Sequence, residues 1–187
     1  DGKSLVISAP AWPLDDRGQQ TNARLLTIRL FSPMEGVIGV RNEHFRGGLD
    51  KGPHFELHPD EGFAPEIVIG EDFAELKSGK LTARVSMKGR WKLEFLRDGK
   101  VISGSDYKAG GHATDKSNSK QTHMFERLNL GVGTKVYGLG ERFTDFVKNG
   151  QSVEIWNRDG GANTEQAYKN IPFFLTNRGW GVFVNDP

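Results

Sequence analysis

The residues best suited to chemistry stand in one run, Trp156-Asn157-Arg158-Asp159-Gly160-Gly161. An aromatic ring beside an amide, a guanidinium and a carboxylate is the mix a sugar site uses. The ring covers the apolar face of a pyranose and the polar groups take its hydroxyls. The same run also reads as turn chemistry, because Asp-Gly-Gly tolerates the backbone angles of a tight bend. Composition leaves both readings open. His54 and His58 have the i,i+4 spacing of a helical metal pair, but Pro53 and Pro59 bracket them and disfavour a helix. Two histidines also fall short of the three or more protein ligands that zinc takes, so they read as surface-loop residues and no metal site is expected. Gly138-Leu139-Gly140 opens like a dinucleotide loop but lacks the third glycine and a following helix. It reads better as a strand end where the backbone bends or nears another strand. Asp15-Asp16, Asp60-Glu61 and Glu71-Asp72 are neighbours in sequence, and neighbours on a strand point to opposite faces. They do not supply the facing carboxyl pair of a glycosidase, and no nucleophile–base pair stands out. No catalytic residue is nominated, and no cofactor is expected.

Composition removes further classes. The chain has 25 Lys+Arg against 24 Asp+Glu, a net charge of +1 with the signs interspersed. That gives no electrostatic footprint for nucleic acid. No apolar run approaches the ~20 residues needed to span a bilayer, so no membrane partner is expected. Zero cysteine excludes disulfides, iron–sulfur clusters and thiolate zinc, and leaves the compartment open between cytoplasm and periplasm for a soluble chain. The 12 Phe and 4 Trp are enough for a packed core.

The elements that must position these residues are strands. Leu81, Ala83, Val85 and Met87 alternate with polar neighbours, as do Leu26, Ile28 and Leu30, and Trp91, Leu93 and Phe95. Asp98-Gly99 between two such runs signals a hairpin. Further strands are expected at residues 36–42, 66–69, 73–77, 122–130, 152–156, 172–176 and 180–185. Residues 103–121, polar and glycine-rich, read as a long loop, and 46–63 as an excursion at a sheet edge. Few or no helices are expected. One sheet would leave an apolar face wet, so the pattern predicts an all-β, two-sheet antiparallel sandwich. Strand-like runs at both ends suggest a piece of a longer protein.

The last third is more specific. Val136-Tyr137-Gly138-Leu139-Gly140-Glu141-Arg142-Phe143 resembles the signature before the catalytic barrel in glycoside hydrolase family 31. The resemblance continues through Val147-Lys148-Asn149-Gly150-Gln151, the Trp156–Gly161 run, Thr164–Phe173 and Thr176-Asn177-Arg178-Gly179. Order and near-continuity make it far more specific than a lone glycine motif.

This resemblance implies that residues 1–187 are the N-terminal β-sandwich domain, of the galactose-mutarotase-like supersandwich type, of a longer retaining α-glycoside hydrolase. The barrel of the same polypeptide carries the two catalytic aspartates, so the chain alone is expected to be inactive. The domain packs on that barrel and sends a loop to the substrate, and by motif position Asp159 is its sugar contact. Trp156 and Arg158 are the accompanying substrate-binding candidates. Glu165-Gln166-Ala167-Tyr168-Lys169-Asn170-Ile171-Pro172-Phe173 is more similar to bacterial α-xylosidases than to animal maltases, which points to α-linked xylose-containing saccharides. An α-glucosidase parent acting on glucose-containing saccharides, and a free-standing carbohydrate-binding module, are the alternatives. The family's final sandwich strands are missing here, which leaves a sheet edge open to another chain, a homo-oligomer included.

Overall fold

The computed structural model describes residues 2–21, 23–44, 58–118, 121–156 and 169–185. Among them the period-two pattern becomes thirteen strands and one four-residue helix. The chain divides into two compact units, Asp1–Asn129 and Leu130–Pro187.

Unit 1 holds β1 (Ser4–Pro10), α1 (Arg17–Gln20), β2 (Leu25–Met34), β3 (Val37–Glu43), β4 (Glu66–Ile69), β5 (Phe73–Ser78), β6 (Leu81–Ser86), β7 (Leu93–Arg97), β8 (Lys100–Ser105), β9 (Gly110–Thr114) and β10 (Thr122–Glu126). They form an antiparallel β1-β2-β3 sheet, an antiparallel β4-β5-β6-β7-β8 sheet and a β9–β10 ribbon.

Register decides what is buried. Leu5 stands opposite Leu30, Ala74 opposite Val85, Leu76 opposite Ala83, and Val85 opposite Leu93. Paired residues share a face, and these two apolar faces meet in one buried cluster of Leu5, Ile28, Leu30, Ala74, Leu76, Ala83, Val85 and Leu93. Each large side chain there contributes roughly 1.5–3 kcal/mol on leaving water. The result is a β-sandwich, as the alternation predicts. Ser78, fully buried at the end of β5, ties the sheets together: its hydroxyl accepts from Gly36 N at 2.9 Å and donates to Met34 O at 3.1 Å. Pro33, which has no N–H for a ladder, sits where the β2–β3 register shifts between Phe31 and Met34.

The Asp98-Gly99 hairpin forms as expected. Both residues have positive φ, 50° and 76°, which matches the right-handed twist of the flanking strands. The carboxylate neighbours have structural partners. Asp16 caps α1, its carboxylate accepting from Gly18 N at 2.7 Å and Gln19 N at 3.1 Å. Asp72 pairs with Lys88 at 2.9 Å.

Three expectations need correction. Residues 103–121 are not one long loop, because β8 runs into them and β9 lies within them. The strand expected at 122–130 ends at Glu126, and the one at 152–156 does not form.

Unit 2 is built on a smaller antiparallel sheet of β11 (Val136–Gly138), β12 (Phe173–Thr176) and β13 (Gly181–Phe183) in that order.

Candidate functional site: the glycine turn and the ends it holds

After β11 the chain makes an unusual turn. Gly138, Leu139 and Gly140 all have positive φ, at 110°, 69° and 86°. A left-handed conformation costs a residue with a Cβ roughly 1–2 kcal/mol, so two of the three positions being glycine limits the strain. The glycines are also needed for space. A Cβ on Gly138 would lie 2.7 Å from Phe173 O, and one on Gly140 would lie 2.1 Å from Lys169 O. This close approach lets Leu139 N donate to Phe173 O at 2.9 Å and Glu141 N donate to Lys169 O at 3.0 Å. The reading of Gly138-Leu139-Gly140 as a close backbone approach therefore holds.

Arg142, at the end of the turn, grips three acceptors. Its Nε donates to Leu139 O at 3.0 Å, and one Nη donates to Glu154 O at 2.9 Å and also to Asn170 Oδ1. Asn170 Nδ2 in turn donates to Trp156 O at 2.8 Å. The amide orientation follows from chemistry: a guanidinium only donates and a carbonyl only accepts, so Asn170 must face them with oxygen and nitrogen respectively. Lys169 Nζ pairs with Glu141 at 3.2 Å, both side chains well exposed, an interaction of ~1 kcal/mol or less. One turn thus holds the chain at residues 154–156 and again at 169–170.

The Lys148-Asn149-Gly150-Gln151 run does similar work. Asn149 Oδ1 accepts from Val136 N and its Nδ2 donates to Thr134 O, both at 2.9 Å, so its amide lines β11 like a short strand. Lys148 is buried, and its ammonium donates to Thr144 Oγ1 at 3.1 Å and Asp145 O at 2.6 Å. Gln151 Nε2 donates to Val147 O at 2.7 Å. Asn177 accepts from Lys135 N at 2.9 Å and donates to Gly133 O at 3.2 Å. An open polar hollow of about 400 Å³ is lined by Thr144, Asp145, Gln151 and Ser152.

One face of the unit 2 sheet is apolar and largely exposed among the described residues. Register puts Tyr137 opposite Leu175 and Phe173 opposite Phe183, all on one side. Phe183 is 58% exposed, and Phe146, tilted against Tyr137 at 5.2 Å, is 79% exposed.

Comparison with known proteins decides the family. Residues 27–187 match the glycosyl hydrolase 31 N-terminal galactose mutarotase-like domain. The chain belongs to this family. It is 40% identical to the α-xylosidase XylQ of Lactiplantibacillus pentosus over its whole length, covering 24% of that protein. It is 41% identical to an α-xylosidase of Emericella nidulans over 91% of the chain, again covering 24% of the relative. The chain therefore spans about a quarter of the length of these curated relatives. Among solved structures, a family 31 dextranase of Flavobacterium johnsoniae complexed with isomaltotriose aligns with a TM-score of 0.69 at 18% identity, over 97% of the chain and 22% of the dextranase. A family 31 α-xylosidase from a soil metagenome, complexed with xylose, gives 0.69 at 17% identity, over 97% of the chain and 26% of that protein. These likenesses establish the fold.

Within this glycosyl hydrolase 31 domain, the three sequence-predicted site residues fare differently. Arg158 and Asp159 lie outside the described residues, as does His54. Trp156 is described: its indole is not core, at 63% exposed, while its carbonyl is held by Asn170. His58 is exposed. Among the described residues no group of three or more His, Asp or Glu is placed to hold a metal. Sequence reasoning quoted Arg142, Asn149 and Asn170 as signature letters without giving them work. The available signal was their type: long or forked polar side chains beside glycines can bond several backbone groups at once.

Proposed function

We propose that this chain is the N-terminal domain of a longer retaining α-glycoside hydrolase, an α-xylosidase, and carries none of its catalytic residues. It packs on the catalytic barrel of the same polypeptide and offers Asp159 to a hydroxyl of an α-linked xylose-containing saccharide, with Trp156 and Arg158 beside it. The observation that carries this reading is the 40% identity, over the whole chain, to an α-xylosidase of which the chain spans 24%.

Two structural features support the parts of the proposal. The apolar face of Tyr137, Phe173, Leu175 and Phe183, largely exposed among the described residues, is a surface of the kind that a neighbouring domain buries. The exposed ring of Trp156 stands directly before the run that holds Asp159, free to lie against a sugar. A carboxylate accepting from a sugar hydroxyl makes a charge-assisted bond of roughly 1.5–3 kcal/mol.

The test is Asp159→Ala in the full-length enzyme, assayed on an aryl α-xyloside. Losing that bond lowers kcat/KM by ~10–100-fold, at tenfold per 1.36 kcal/mol. An unchanged kcat/KM removes Asp159 from the site.

A further inference from the structure

We infer that Arg142 and Asn170 form a two-residue clamp that positions Trp156, the residue from which the run carrying Asp159 starts, for substrate. Neither is a catalytic residue; they act through the backbone they hold. The inference rests on the reading that the run beginning at Trp156 faces a sugar.

The geometry is a closed relay. The turn at Gly138–Gly140 brings its own backbone against Lys169 and Phe173, through the bonds from Glu141 N and Leu139 N. Arg142 is anchored to that turn by Leu139 O. From there it reaches forward to Glu154 O, two residues before Trp156, and across to the Asn170 amide. Asn170 closes the relay on Trp156 O. Trp156 and Lys169, the described residues on either side of the run that carries Arg158 and Asp159, both belong to this hydrogen-bonded block. Residues 152–156 form no ladder with a strand. Their carbonyls at 154 and 156 accept from the clamp instead. The Asn170 amide accepts from the guanidinium through Oδ1 and donates to the carbonyl through Nδ2 at once.

Position matters here more than affinity. A misplacement of about an ångström in a substrate-holding group can cost ~10²-fold in rate. Asn170→Asp is the sharp probe. It keeps the acceptor that Arg142 needs and deletes the donor to Trp156 O, whereas Arg142→Ala strips the bonds to Leu139 O, Glu154 O and Asn170 together and risks the fold of the unit. The assay is an aryl α-xyloside with the full-length enzyme, in the wild-type and Asp159→Ala backgrounds, with Tm recorded alongside.

Asn170→Asp is expected to lower kcat/KM about tenfold by such misplacement. Tm should stay within about 3 °C, the shift of a ~1 kcal/mol change. In the Asp159→Ala background the second substitution should cost less than about twofold, because residues acting as one unit are not additive. If Asp159→Ala lowers kcat/KM and Asn170→Asp does not, the clamp is overturned and the Asp159 reading stands. If Asp159→Ala lowers kcat/KM and the Asn170→Asp loss persists in full on top of it, the pair acts elsewhere and the inference is equally overturned. If Asp159→Ala is silent while Asn170→Asp lowers kcat/KM at unchanged Tm, the Asp159 reading fails and the clamp stands, acting on Trp156. If both are silent, both fail.

Discussion

In unit 1 the fully buried large side chains are Leu30, Leu76 and Val85, with Ser78 and Ser105. In unit 2 the buried positions among the described residues are Thr134, Lys148 and Thr176, all polar. The two regions are held by different physics. Unit 1 follows the usual logic of a sandwich, in which alternation hides one face of each sheet against the other. Unit 2 is tied by side chains that bond backbone: Asn149 along β11, Asn177 across to residues 133–135, and Arg142 with Asn170 across residues 139–156. Phe143, Phe146 and Phe183 remain exposed. A region with few apolar contacts of its own and precise polar ties is suited to holding a shape for a neighbour.

This contrast can be broken by paired substitutions. Leu76→Ala removes a fully buried side chain between the two sheets and should destabilise unit 1 by about 3 kcal/mol, the middle of the range for such cavities. Gly140→Ala drives a Cβ against Lys169 O and should destabilise unit 2 by about 2 kcal/mol, as overpacking does. Hydrogen exchange after each change locates the damage. Leu76→Ala should deprotect β5–β7, and Gly140→Ala should deprotect β11 and β12. If either change loosens both units equally, the division into two physically different regions is wrong.

A smaller effect sharpens the comparison through pH. In unit 1 the ring of His112 stacks on His44 with centroids 3.8 Å apart. Burial first, then the neighbouring His44 and Arg24, hold the His112 pKa below its ordinary 6.5. The folded state therefore binds a proton less readily than the unfolded chain. The stability tied to neutral His112 is fully present above pH 6.5 and is lost as pH falls through the lowered folded value. His112→Gln should flatten the acid side of a Tm-versus-pH curve and leave the neutral side unchanged. An acid limb identical to wild type would show that His112 does not titrate on unfolding.

The same contrast explains what the sequence made legible. Where burial alternates, it was readable: the run at 26–30 and the Asp98-Gly99 turn lie where the pattern put them, the run at 81–87 is a strand to Ser86, and the run at 91–95 becomes a strand from Leu93. β9 was not readable, because Gly110-Gly111-His112-Ala113-Thr114 carries almost no apolar signal. Its glycines serve space, since a Cβ on Gly111 would lie 2.9 Å from the Phe125 ring on β10. Residues 152–156 look like a strand, yet their carbonyls at 154 and 156 are taken by Arg142 and Asn170 rather than by a ladder. Period-two reasoning sees side-chain faces and is blind to which partner the backbone finds. In unit 2 the signature was legible as a family resemblance, and the geometry adds why its letters are needed: glycines for close approach, Asn and Arg for backbone bonds.

The most direct measurement is the hydrolysis of an aryl α-xyloside by this chain alone beside the full-length protein that carries it. The account predicts cleavage by the full-length protein and none by the chain. Turnover by the chain alone would contradict it, because a carboxyl pair within these 187 residues would then be catalytic.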